Sequence, residues 1–260
     1  MLAVLFALFV WWFSTGAIFW AISHGAGRGV VLMTGPLAIS AMIAMAWAAN
    51  EGGAIGAYVG FSAAIVIWGW FEIAFLTGVL TGPNQRACPP GLNGPRHFLM
   101  AWGTIAYSEL ALLMTAILIG SLTWHAPDHT GLWTFLILFI ARISAKLNVY
   151  LGVPNLSHEM MPGAIAYMKT YFANRRMNWL FPASITLLTF AVACWIERAI
   201  ATDGSATGFL LLTGLTTLAL VEHWLMVLPI QDAALWRWMV RQPEHDPSGI
   251  EPADRLRRGS

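Results

Sequence analysis

Glu72, Glu109, Arg142, Lys146 and the adjacent pair Glu222–His223 all fall inside stretches that otherwise read as lipid-soluble helix. A charged group at membrane depth costs about 3 kcal/mol or more, so such groups persist only when paired, hydrated or useful. Carboxylates, cations and one imidazole could support a proton or ion path, a carboxylate-bridged metal site, or an axial donor for a magnesium or iron macrocycle. A mechanical alternative uses the same residues: a buried ion-pair network that fixes helix register.

The spacing weighs these readings differently. A four-helix carboxylate metal centre wants Glu-x-x-His on two helices, whereas Glu222 and His223 are neighbours and point about 100° apart. No metal is expected. His223 is the only histidine well inside a hydrophobic stretch, which makes it the candidate pigment ligand. Arg142 and Lys146 are four apart and share a helix face, with Ser144 and Asn148 adding polar character nearby. Arg142 can grip a carboxylate with two donors, so a pairing with Glu72 or Glu109 is expected. No nucleophile elbow, phosphate loop or nicotinamide fingerprint is present, so no catalytic residue is assigned and an enzyme is not expected. No nucleic-acid partner is expected either.

The elements that must hold these residues follow from composition. Of 260 residues, 58% are hydrophobic and only 10% charged, where a soluble domain carries about a quarter. Mean hydropathy is +0.65, and fourteen Trp and fourteen Phe suit lipid-facing and interfacial rings. Seven segments approach the roughly 20 apolar residues that a crossing helix needs. They are Leu2–Ile22, Val30–Ala49, Ala54–Leu80, Phe98–Trp124, Leu132–Leu151, Trp179–Ala201 and Thr207–Ile230. Pro36 lies inside the second. The first reads as a retained helix, since no basic residue precedes it. Cys88 and Cys194 should lie at different depths, so no disulfide is expected. The class is an all-α polytopic membrane bundle of about seven transmembrane helices (residues 1–242), followed by a disordered cytoplasmic tail (243–260).

Arginine and lysine are divided unequally between the two sets of loops. Those after the first, third and fifth segments, with the tail, carry nearly all of them, while the other side holds Arg198. The positive-inside rule then places the N-terminus outside and the C-terminus in the cytoplasm. Counted from the cytoplasmic ends, Glu72, Glu109, Arg142 and Glu222 fall in one layer, with Lys146 shallower and able to snorkel. Against transport, no paired discontinuous helices or internal repeat can be read. Between Met160 and Met177, apolar Met161, Ile165, Met168 and Phe172 recur at helical spacing beside Lys169, Arg175 and Arg176. That pattern predicts an interfacial helix. A second interfacial segment, capped by Asp232, carries Trp236 and Trp238.

Long motifs add a resemblance. RISAKLNVYLGVPN (Arg142–Asn155), FLTGVLTGPNQRACP (Phe75–Pro89), FPASIT (Phe181–Thr186) and LALVEHWLMVLPIQDAALWRW (Leu218–Trp238) resemble the PuhE-type photosynthetic complex assembly proteins. The resemblance implies a multi-pass inner-membrane protein of purple-type phototrophic bacteria. Its expected role is in assembling the reaction centre and core antenna, or in supplying them with bacteriochlorophyll or a precursor. Reaction-centre subunits, antenna subunits and other assembly factors are the partners it implies, beside the lipid bilayer. The alternatives are a small-molecule or ion transporter using the intramembrane layer, and a membrane enzyme of pigment synthesis.

Overall fold

The computed structural model describes residues 2–25, 27–155, 161–172, 177–202 and 206–228. Every regular element among them is helical: α1 (Leu2–Ser23), α2 (Arg28–Glu51), α3 (Gly53–Leu76), α4 (Gly94–Gly103), α5 (Ala106–Leu122), α6 (Thr130–Leu151), α7 (Leu180–Ala201) and α8 (Thr207–Leu225), with a 3-10 segment at Gly163–Tyr171. Six of these helices are individually long and apolar enough to cross a bilayer. The α4–α5 pair, which is bent by 65°, is the candidate for a seventh crossing. Phe98–Trp124 is therefore not one straight span, as hydropathy suggested.

Chain direction shows why α5 counts as a crossing. Gly131 at the start of α6 packs against Gly60 near the start of α3, and Arg142 and Lys146 later reach residues near the end of α3. α3 and α6 thus run parallel, and the chain must return between them. α5 makes that return: Ser108 N–H donates to Thr81 O at one end, and Asp128 N–H to Ala49 O at the other. Residues 2 and 228 consequently lie at opposite ends of the bundle.

Close packing comes from small residues, as membrane helices require when hydrophobicity gives no preference between lipid and protein. At the α3–α6 crossing a methyl on Gly131 would come within 3.0 Å of both Gly60 O and Met45 Cγ. Phe61, Phe135, Leu112, Leu211 and Leu215 fill the spaces around these approaches and are fully buried. Large rings such as Trp47, Trp124 and Trp179 face outward near helix ends, where indoles sit at bilayer interfaces. Pro36 is accommodated within an unbroken α2. Cys88 and Cys194 are unpaired.

The bend between α4 and α5 has a local cause. Asn84 N–H donates to Gly103 O, Asn84 Nδ2 to Met100 O, and Ser108 N–H to Thr81 O. The 81–84 strand of loop thereby satisfies backbone groups that the interruption frees, which is the condition for irregular backbone at membrane depth. Gly82 permits the approach, because a Cβ there would overlap Gly103 O and Thr104 C.

The segment expected as an interfacial helix is instead 3-10, and its apolar residues face the bundle. Ile165 and Met168 are buried against Phe75, with Met161 and Phe172 alongside. Protein, not lipid, takes its apolar face. Tyr171 and Thr170 tie it to the α3–α4 loop: Asn84 Nδ2 donates to Tyr171 Oη, Tyr171 Oη to Arg86 O, and Cys88 N–H to Thr170 Oγ1. Arg175, Arg176, Asp232, Trp236, Trp238 and the tail lie outside the described residues.

Candidate functional site: a charged cluster between two cavities

α6 carries polar groups on two faces. Toward α3 and α5 it presents Arg142 and Lys146 one turn apart. Arg142 Nη1 pairs with Glu72 Oε1, while Arg142 Nε donates to Glu109 Oε1 at 3.2 Å. Lys146 Nζ reaches the same Glu109 oxygen at 2.6 Å. Three helices are thus joined by two carboxylates and two cations, and the cluster is neutral as a unit. Phe75 lies under both cations, 4.7 Å from Arg142 Cζ and 4.1 Å from Lys146 Nζ, so the ring face adds attraction where water is scarce.

Lys146 does not snorkel: Glu109 is a closer and desolvated partner. Glu109 sits in the first turn of α5 because the bend places that helix start inside the bundle. A carboxylate there also interacts favourably with the unpaired N–H groups of the helix start. The interrupted helix, which the sequence did not reveal, is therefore what positions Glu109. Its other oxygen, Oε2, is buried with no hydrogen-bond partner among the described residues.

The second polar face of α6 points toward α7 and α8. His223 is 1% exposed; its Nδ1 donates to Ala219 O at 2.8 Å, and its Nε2 lies 2.9 Å from Ser144 Oγ. The carbonyl fixes the proton on Nδ1, leaving Nε2 to accept from Ser144. Ser144 also touches Ser184 at 2.9 Å, and Asn148 Nδ2 donates to Ser184 Oγ and to Ser144 O. Asn178 continues the line, bonding Asn148 O and Gly152 O while its Oδ1 accepts from Leu180 and Phe181 N–H at the start of α7. Asn148 and His223 therefore belong to a neutral hydroxyl–amide network, on the face of α6 away from the ions.

Glu222 stands apart from both networks and lines a cavity of about 590 Å³ that it shares with Glu72, Arg142 and His223. The remaining wall is mostly aliphatic, with Trp11, Trp12, Trp68 and Phe19 as its rings. A second cavity of about 320 Å³ lies on the other side of the cluster, against Glu109 and Lys146. Both volumes fall in or near the range of organic-ligand sites, roughly 300–1,000 Å³. Among the described residues no three His, Cys, Asp or Glu side chains converge as metal ligands would. Sequence reasoning missed Ser184 and Asn178; short polar residues opening a hydrophobic stretch were the available signal. It also missed Phe75, which nothing distinguishes from a lipid-facing ring.

The family described as "Protein of unknown function (DUF3623)" matches residues 1–247. The chain is 48% identical, over 261 aligned positions, to an uncharacterized 30.4 kDa protein in the puhA 5′ region of Rhodobacter capsulatus. That alignment covers 97% of this chain and 93% of the relative. No solved structure matches.

Proposed function

The chain belongs to the DUF3623 family, and we propose that it serves bacterial photosynthesis as an assembly or pigment-handling factor of the inner membrane. The placement of the Rhodobacter capsulatus relative in the puhA 5′ region supports a photosynthetic role. So does the resemblance of four sequence blocks to the PuhE-type assembly proteins. The basic end of the bundle, with Arg28, Arg86, Arg96 and Lys169, faces the cytoplasm in this reading, and Glu51, Asp128 and Glu197 face outward.

The observation that carries the pigment-handling role is the large apolar cavity, with Trp11, Trp12 and Trp68 in its wall, that ends on Glu72, Arg142 and Glu222. Its walls suit a large apolar ring system, and its polar end suits the oxygen substituents at such a ring's edge. A bacteriochlorophyll or precursor would supply the macrocycle. His223 does not fit as its axial donor in this arrangement, since Nδ1 is held by Ala219 and Nε2 by Ser144. The protein's own contribution is to enclose an apolar face, orient a polar edge and exclude water.

The test is the absorption spectrum of protein purified gently from a phototrophic host, with His223→Ala and the cavity-filling Gly69→Trp alongside. A stoichiometric bacteriochlorin band, kept in the first variant and lost in the second, is expected. A colourless protein that still co-purifies with reaction-centre or antenna subunits would leave assembly without pigment. A colourless protein with neither would overturn the reading.

Transport remains a second reading because of the α4–α5 interruption, a device that many transporters use at their binding sites. Proteoliposome flux that collapses in Glu109→Gln would favour it over pigment handling.

A further inference from the structure

The smaller cavity lies between the α4–α5 bend, α6 and the 3-10 segment, on the side of the charged cluster away from Glu222. Its walls are rich in rings: Phe75, Phe98, Trp102, Tyr150, Tyr171 and Phe172 all contribute. Polar atoms on this wall are mostly accounted for. Tyr150 Oη meets His97 Nδ1, Tyr171 Oη is held by Asn84 and Arg86, and Thr104 Oγ1 donates to Ala101 O.

At the polar end one oxygen is unmatched and one ammonium is only partly engaged. Glu109 is 3% exposed, and its Oε2 has no hydrogen-bond partner among the described residues. Lys146 uses one ammonium hydrogen on Glu109 Oε1, and its side chain keeps 25% exposure. Leaving a buried carboxylate oxygen unmatched is costly, so a donor that Glu109 meets by turning its carboxylate toward the cavity gains accordingly.

The chemistry of that end restricts the ligand. Glu72, Arg142, Glu109 and Lys146 sum to zero charge, so a charged head would enter an apolar cavity without a counter-ion. A hydroxyl is the small neutral group that accepts from an ammonium and donates to a carboxylate at once. The ring-lined walls favour a flat aromatic body, through edge and face contacts that an alkyl chain does not make. We propose that this cavity binds a neutral aromatic amphipath bearing a hydroxyl, of the phenol or quinol type. Its hydroxyl bridges Lys146 Nζ and the Glu109 carboxylate, and its ring lies among Phe75, Trp102 and Tyr150. The site is independent of any pigment in the larger cavity.

The experiment measures binding of 4-octylphenol, octylbenzene and 1-octanol to the purified full-length chain in detergent, by calorimetry. Octylbenzene lacks the hydroxyl and 1-octanol the ring. The phenol is expected to bind about tenfold tighter than either, the scale of a charge-assisted hydrogen bond and of good aromatic packing. Lys146→Met should bring phenol and octylbenzene within about twofold of each other. Ile165→Trp, which fills the cavity from the 3-10 segment without touching the ion pairs, should abolish binding of all three. Equal binding of the phenol and either analogue by the wild-type chain overturns the proposal, and that comparison requires no variant to fold. Undiminished phenol binding in folded Ile165→Trp overturns it as well.

Discussion

Arg142 and Lys146, one turn apart on α6, converge on a single oxygen of Glu109: Nε lies 3.2 Å away and Nζ 2.6 Å. Arg142 also holds Glu72, so one guanidinium links the third, fifth and sixth helices. Sharing an acceptor makes the pair interdependent, since removing either cation changes what the other must neutralise. Double substitutions here should depart from additivity.

Arg142→Leu strands Glu72 and leaves Glu109 to Lys146 alone, and should cost about 3–5 kcal/mol. Arg142→Lys should recover only part of this, because one ammonium cannot reproduce the fork that spans two carboxylates. Arg198→Leu removes an exposed residue, 3.9 Å from Glu197, and should cost under about 1 kcal/mol. Membrane accumulation and thermal unfolding in detergent check the order; equal losses for Arg142→Leu and Arg198→Leu would remove the cluster's structural role.

Gly82→Ala should disrupt the α4–α5 bend, because its methyl group overlaps Gly103 O. A loss of several kcal/mol, about 2–4, is expected from the backbone shift required. Gly120→Ala, in the same crossing but with nothing within 4 Å of the new methyl, should be neutral or slightly stabilising. Comparing the melting of the two variants isolates the bend from general glycine effects.

Ser184→Ala removes the hydroxyl that Ser144 and Asn148 share. A cost of about 1–2 kcal/mol is expected. The loss should shrink, with the Ser144 bond still to lose, when Asn148→Leu is already present, and additivity of the two would show that they act separately.

Chain direction fixes which loops share a side. Native Cys88 should react with a membrane-impermeant maleimide from the cytoplasmic face, and His125→Cys in a Cys88→Ser background from the outer face. Labelling of both from one side would contradict α5 as a crossing.

The spans themselves were legible because twenty apolar residues in a row have few soluble uses. A pairing of Arg142 with Glu72 or Glu109 was legible for a related reason: at that depth each charge needs an opposite one; that the guanidinium takes both was not. The interruption at Thr104–Ile105 was not, since its cause lies in a loop twenty residues upstream that donates hydrogen bonds to it. Lys146 was read from its distance to the helix end alone, which omits the carboxylate that the interruption brings close. The periodicity around Ile165 identified the apolar face correctly, but not whether protein or lipid would cover it. Glu222 was grouped by depth with residues it faces only across a cavity.

The order of the helices has a consequence for biogenesis. Glu72 and Glu109 belong to segments synthesised before α6, so both carboxylates are in place when Arg142 and Lys146 leave the ribosome. Each cation alone would penalise insertion of its helix by about 3 kcal/mol. A nascent chain that lacked the earlier carboxylates would thus hesitate at the fifth hydrophobic segment, making entry of α6 a checkpoint that only a correctly placed α3 and α5 can pass.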